Sequence, residues 1–535
     1  MAPVNAEVLP DPEDPAEVAI GERLFREPRF AQFFAAHTTG VVNGPLAEGD
    51  PVLSRTMTAR GAPLPGSFAG STMSCRSCHM VDEHATAART GSRSYTDFGR
   101  QSPIPDRDDG LVTTTRNSPT AVDVTLPRAD LLLHDDGEFA SAEDLVRETI
   151  LGRNFGWLPG ERAEALRNVG HVIREDDGSS PLGRAFGGPY SAVLAGASSV
   201  PAKLRLPPAY RLDVRRASDS EILDGVARLV SAYLRSLAFH RDGGHHFDGS
   251  AYDRFLLKND LPRAPEAGEP DSVYARRLRD RLEKLVDPQF VNASEGKLRL
   301  HDQDFVFGPL EMRGLMIFLA EPGHAPASRM TATAMGVGNC VACHAPPRFT
   351  DFGFHNTGAS EAQYDAIHGT GAFQRLAIPD LQTRNADYDA FLPASAAHPH
   401  ANGRFRSPPS QMRPGYADLG LWNVLENPDM PKPQAAIRSL LGRDRTNRQA
   451  SAVLSLAVGC FKTPSLRDLG HSPPFLHSGR ADSLEQVIAH YVEFSARARA
   501  GTMRNPDPRL RGMILGQSDV SALVAFLKSL NEDYQ

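Results

Sequence analysis

The chain has 535 residues, too many for one hydrophobic core, so two or three domains are expected. Its 58 Lys+Arg against 65 Asp+Glu leave a net charge of −7, which excludes a nucleic-acid or anionic-membrane partner held by bulk charge. Hydrophobic residues at 41% and charged residues at 23% describe an ordinary globular chain, with no run long and apolar enough for a membrane span.

The start of the chain, through Pro10, lacks the basic and apolar regions of a signal peptide. Four of the five cysteines fall into two matching patterns, Cys75-Arg-Ser-Cys78-His79 and Cys340-Val-Ala-Cys343-His344. C-x-x-C-H is the attachment signature of c-type haem. In a helical turn the two cysteines share a face and both reach porphyrin vinyls, and the histidine follows as proximal iron ligand. A four-cysteine zinc site gives no reason for a histidine directly after each pair, and a thioredoxin-like redox pair needs neither a second copy nor a histidine. Cys460 ends the apolar run 451–460 and reads as a buried thiol.

In chain order, Arg116-Asn117-Ser118-Pro119-Thr120 is followed by His134-Asp135-Asp136-Gly137 and by Ser141-Ala-Glu143-Asp-Leu145-Val146. The second half repeats this order with Lys462-Thr463-Pro464-Ser465, His477-Ser478-Gly479 and Ser483-Leu484-Glu485-Gln486-Val487-Ile488. One structural unit thus occurs twice, each copy beside its own cysteine pair. Between the copies, Ile222, Val226, Leu229, Val230, Tyr233 and Leu237 predict a long amphipathic helix. Residues 262–300 add a charged helix around Val273–Val286, bounded by Pro265, Pro270 and Pro288. Residues 375–450 are dense in Pro, Gly, Asn and His and predict long surface loops. Ser483-x-x-Gln486 forms a capping box, and Leu484, Val487, Ile488 and Tyr491 share one helical face. Strand signals are scarce. The expected fold is mainly α, with two c-type cytochrome domains at 1–215 and 305–535, connecting helices and an insertion at 216–304, and a loop insertion at about 375–450.

These motifs resemble the bacterial di-haem cytochrome c peroxidase / MauG superfamily. The matching pieces are Ile20-Gly-Glu-Arg-Leu-Phe25, both C-x-x-C-H motifs, Arg116–Thr120, Tyr252-Asp253-Arg254-Phe255, Phe461-Lys-Thr-Pro-Ser-Leu-Arg467, Pro474-Phe475-Leu476-His477-Ser-Gly479 and the helix from Leu484 to Tyr491. The resemblance implies two covalent haems. The N-terminal one, on Cys75, Cys78 and His79, is the reaction site, and the C-terminal one, on Cys340, Cys343 and His344, stores and relays electrons. It puts the distal ligand of the second haem at Tyr491. That tyrosine sits near the centre of its helix's apolar face, where packing is the alternative role. His490, the substitute ligand, points about 100° away. The first-half position equivalent to Tyr491 is Thr149, a poor iron ligand, and residues 95–105, the segment that supplies a distal histidine in many relatives, contain none. Both features favour an open N-terminal haem ready for H2O2 or O2, with His84 the nearest competitor. The resemblance also implies one Ca2+ at Asn117, Ser472 and Pro474, against which stands a plain turn-fixing role for Asn117. Covalent haem attachment happens outside the bacterial cytoplasm, so a periplasmic or secreted protein in its mature form is expected.

The chain departs from its relatives around the reaction haem. Their distal Gln falls here on Leu145, and their distal Glu on Phe155, or on Trp157 if the loop shifts. Peroxide cleavage benefits from a base at that place, for which Glu148 and Glu161 are the nearby substitutes. The inter-haem tryptophan expected before Asp136-Gly137 is replaced by His134 and Asp135. The aromatic distal segment resembles that of rubber oxygenases. The leading expectation is a peroxidase drawing electrons from a small cytochrome c or cupredoxin. The alternatives are MauG-like oxidation of a partner protein, O2-dependent cleavage of an apolar alkene, and a plain di-haem electron carrier with both irons saturated by protein ligands.

Overall fold

The computed structural model describes residues 10–38, 40–44, 74–79, 104, 107–111, 113–126, 128–296, 304–323, 335–442, 450–471 and 473–532. The fold is mainly α. The only sheet among the described residues pairs Phe354–His355 antiparallel with Phe461–Lys462. Among the described residues, no helix is long and apolar enough to cross a membrane.

A helix pair recurs in each half, and glycine makes both crossings close. The helix Ala16–Phe25 packs along Asp219–Ser236, and Pro309–Leu319 packs along Gln517–Lys528. A Cβ on Gly21 would collide with the carbonyl of Leu229, and one on Gly314 with the carbonyl of Ala522. Each first helix precedes a cysteine motif in the chain, so the crossing fixes the wall on which that motif is built. Asp219–Ser236 begins with a capping box, in which the Ser218 hydroxyl accepts from the Glu221 N–H and the Glu221 carboxylate accepts from the Ser218 N–H. Its predicted stripe of Ile222, Val226, Leu229, Val230 and Tyr233 is buried. This stripe belongs to an apolar core running from Val18 to Phe247, and a second core runs from Ala251 to Leu530.

Two sequence expectations change. The charged helix spans Asp271–Glu283 and stops short of Val286, which is 79% exposed. Its buried stripe is Tyr274, Ala275, Leu278 and Leu282, so the valines at either end of the expected segment had no core to enter. Residues 375–450 were expected as surface loops, yet Phe405, Leu419, Leu421, Trp422 and Val424 are buried in a third core that includes Leu132 of the first half. Their apolar side chains are spread through Pro- and Gly-rich turns without helical period, so the burial left no periodic trace in the sequence.

The second core is tied by Arg467, whose guanidinium makes two 2.9 Å bonds to Asp253 with both side chains almost wholly buried. Removing one member of such a pair leaves an uncompensated charge. Asp253→Ala should therefore lose about 3–5 kcal/mol in chemical denaturation, with part recovered in the Asp253→Ala/Arg467→Met double variant. Gly21→Val should lose about 1–3 kcal/mol or more, because the helix axis has no room to yield.

Candidate functional site

Each cysteine motif is a single tight turn. The His79 N–H donates to the Cys75 carbonyl and the His344 N–H to the Cys340 carbonyl, both at 2.8 Å. Cys75–Cys78 is one α-helical turn, and Cys340–Ala342 is a 3-10 turn entered through Asn339 at φ 49°. All five cysteines are thiols. Burial and the neighbouring cysteine push the Cys75 and Cys340 thiols up to about 12, so they are held neutral.

The two histidines are oriented alike. His79 Nδ1 lies 3.1 Å from the Pro119 carbonyl and His344 Nδ1 lies 2.9 Å from the Phe349 carbonyl. A carbonyl only accepts, so Nδ1 carries the proton and Nε2 keeps the lone pair. This arrangement, with the far ring nitrogen anchored to backbone, is how a metal-ligating histidine is usually aimed. Burial, and then the charge of His134, brings His79 down to about 4, and burial lowers His344 as well.

Both cysteine pairs and both histidines line one cavity of about 1350 Å3. The duplicated units frame it with matching geometry. Leu133 bridges to Phe139 and Phe475 to Ala481, and the Ser141 and Ser483 hydroxyls cap the following helices, Ala142–Ile150 and Leu484–Ala500. The capping box at the second helix is altered, because Gln486 accepts from the Asp482 N–H rather than from Ser483. The offset that matches these bridges pairs Thr149 with Tyr491. It also pairs His134 with Leu476, at φ 63° and 68°, so the counterpart of His477 is Asp135 and not His134.

Tyr491 lines the cavity and packs beside Cys340, and burial and the two thiols of the second motif raise its hydroxyl pKa. His490 is committed elsewhere: Nε2 bonds the Thr357 carbonyl at 3.0 Å and the ring stacks on Phe494. In the first half Leu145, Glu148, Thr149, Phe155 and Trp157 line the same cavity. Phe155 is buried, and the Trp157 indole N–H is taken by the Phe30 carbonyl at 3.0 Å. Glu148 makes two 2.6 Å bonds to Arg162. Against the effect of burial, Arg107 holds Glu161 below its ordinary range. Asn117 Nδ2 donates to the Pro474 carbonyl at 2.5 Å. His84, Ser472 and residues 95–105 other than Ile104 lie outside the described residues.

Sequence reasoning missed the ion cluster in the wall of this cavity. Arg116 donates through Nε and Nη2 to Asp418, at 2.6 and 2.8 Å, and its Nη1 lies 2.7 Å from Asp136. Arg406 adds contacts to Glu138 and Asp136, and Glu138 also meets His134. Burial opposes the charge on Arg116, and Asp136 and Asp418 overcome it, leaving the guanidinium more basic than usual. Asp418 and Arg406 come from the segment expected as surface loop, so only the fold could reveal them. A second such group sits at the other motif, where His355 lies between Asp507 at 2.7 Å and Asp351 at 2.9 Å. Those carboxylates outweigh burial and push His355 up to about 12.

The donor set fits covalent haem better than zinc. Two thiol pairs at the right spacing, each followed by a histidine whose Nδ1 is anchored to backbone and whose Nε2 keeps its lone pair, suit two separate porphyrin sites. Among the described residues the four motif cysteines do not gather into one metal-binding group.

No family model matches the chain. The cytochrome-c peroxidase IdrP2 of Pseudomonas sp. (strain SCT) is 27% identical over 195 residues, covering 32% of this chain and 50% of that protein. The chain thus spans about half the length of this curated relative. The methylamine utilization protein MauG of Methylorubrum extorquens is 33% identical over 73 residues, 14% of this chain and 19% of that protein. Among solved structures, the diheme peroxidase BthA from Burkholderia thailandensis aligns over 98% of this chain and 90% of its own at 18% identity and a TM-score of 0.45.

The Arg116–Asp418 pair gives a pH prediction. Burial works against the Asp418 charge, but Arg116 brings the carboxyl down to about 2. A carboxylate with a depressed folded pKa contributes stability above its unfolded value and loses it as pH falls through the folded one. Stability should therefore decline between about pH 4 and pH 2, and Asp418→Asn should flatten that limb while lowering stability at pH 7. Thermal melts followed by far-ultraviolet circular dichroism across this range provide the measurement.

Proposed function

The chain is a relative of the di-haem cytochrome c peroxidase and MauG superfamily, and we propose that it is an exported c-type oxidoreductase using H2O2 at an N-terminal haem on Cys75, Cys78 and His79. In this reading Cys340, Cys343 and His344 hold a second haem, with Tyr491 as distal ligand, which relays electrons from a small cytochrome c or cupredoxin. The carrying observation is that two C-x-x-C-H turns, each with its histidine anchored through Nδ1, open on a single cavity. Tyr491 is favoured over His490 because His490 is already bonded to Thr357 and does not line the cavity. Thr149, at the matching place in the first half, is too short and too weak a donor to serve as a ligand to a haem that would be held there.

The haems supply the redox chemistry when bound. The chain's own residues aim the two imidazoles, keep them neutral and wall the first site with Leu145, Phe155 and Trp157. Glu148 lines that site, but its carboxylate is held by Arg162. Proton transfer there is accordingly weak, and general acid–base help is worth about 10²–10⁴ in rate. The apolar wall favours a second reading, O2-dependent cleavage of an apolar alkene. Ca2+ at Asn117 and Pro474 belongs to the proposal with its amide turned to present Oδ1; the Asn117–Pro474 bond satisfies the pair otherwise.

The pyridine haemochrome assay should return two covalent haems per chain. Tyr491→Phe should change the low-spin ferric EPR signal and leave the high-spin signal intact. Phe155→Glu should raise peroxide turnover, by up to about 10²–10⁴ if the new carboxylate acts as acid and base. A flat response, together with O2 consumption in the presence of an alkene, selects the oxygenase reading. Added Ca2+ should raise the melting temperature of the wild type and not that of Asn117→Ala.

A further inference from the structure

We propose that His477 donates a hydrogen bond to a carboxylate of a haem in the shared cavity and thereby sets that haem's reduction potential. The inference rests on the di-haem reading above. His477 is 93% buried, from a relative exposure of 7%, and it lines the cavity. Neither ring nitrogen has a hydrogen-bond partner among the described residues. A buried polar group without a partner is rare, and it calls for a ligand or another explanation.

The ring cannot turn freely to find a partner elsewhere. It stacks on Phe461 with centroids 3.7 Å apart and planes 9° from parallel. Its backbone is fixed too, because the His477 carbonyl accepts from the Asn117 N–H at 2.7 Å. That bond places it at the junction of the two sites. Asn117 lies two residues before Pro119, which anchors His79, and Phe461 begins the segment through Pro464, whose backbone bears on His344.

The charged and titratable groups around the ring are Asp418, Arg116, His490 and Asp136. Arg116 is saturated by Asp418 and Asp136, and His490 is bonded to Thr357, so none of these is aimed at His477 as a partner. In either protonation state the imidazole carries at least one N–H donor. A haem in this cavity would bring carboxylates of its own, through its propionates.

The sign of the effect follows from charge. An N–H facing a propionate stabilises the anion; without it the bare negative charge favours ferric iron and lowers the potential. The unassisted propionate also becomes more basic, so the potential turns pH-dependent. Spectroelectrochemical titration of the holoprotein from pH 5 to 8 should show one of the two midpoint potentials falling by about 59 mV in His477→Phe, a tenfold change in the one-electron equilibrium. Its pH slope should steepen, while His477→Gln, which keeps an N–H, should recover most of the loss. Unchanged potentials and slope in a His477→Phe protein that carries two haems overturn the proposal, as does a fall in His477→Gln equal to that in His477→Phe. Should His477→Phe fail to assemble, His477→Met is compared with His477→Gln, and equal potentials overturn it. A wild type with fewer than two covalent haems refutes the di-haem reading instead, and the haem count separates the two failures.

Discussion

The buried guanidinium of Arg116 joins three stretches of chain that are far apart in sequence. It comes from the segment that also anchors His79, through Pro119, and it binds Asp136 of the first repeated unit and Asp418 of residues 375–450. A buried charge of this kind is tolerable only when its partners are in place, because each unpaired member is expensive in a low-dielectric interior. The cluster therefore acts as a registration device. Unless the 375–450 segment packs against Leu132 and delivers Asp418 and Arg406, Arg116 and Asp136 are left incompletely paired. The wall between the two histidine motifs then has no stable form.

Around that centre the protein is built twice from one plan. A helix pair crosses at a glycine, a single turn presents two thiols and a histidine, and a bridged loop leads into a Ser-capped helix facing the cavity. The plan is the same, but the residue at the key position of that helix differs. Thr149 and Tyr491 occupy matching places, and the chemical inequality of the two sites begins there. The walls diverge further: Leu145, Phe155 and Trp157 make the first apolar, while His355, held between two aspartates, gives the second a fixed positive charge. Duplication with unequal substitution suits a division of labour in which one site reacts and the other supplies electrons.

The absent inter-haem tryptophan takes on a different meaning beside this geometry. Trp157 is held by Phe30 in the first core and Trp422 is buried in the third. Arg116 and the stacked rings of Phe461 and His477 line the cavity that the two motifs share. Electronic communication here would run through compact packing and fixed charges.

Much of the site was legible in the sequence because it is local. C-x-x-C-H needs only one turn, so its spacing alone specifies two thiols and an imidazole on a common face. The capped helix at Ser483 and the stripe from Ile222 to Tyr233 were likewise written in hydrogen-bonding side chains and a 3.6-residue period. The offset that pairs Thr149 with Tyr491 also pairs Asp135 with His477, and the left-handed residues His134 and Leu476 agree with it. The bond that holds His490 away from the cavity ends on the Thr357 carbonyl, more than a hundred residues away, which no local pattern could show. The burial of residues 375–450, and with it the partners of Arg116, had no periodic signature, because irregular chain draws its core from contacts distant in sequence. Local hydrogen bonding and periodicity thus determined the two attachment turns and most of the helices. The shared cavity, its ion cluster and the pairing of its histidines were decided by tertiary packing, since desolvation and charge compensation depend on what is brought together from elsewhere in the chain.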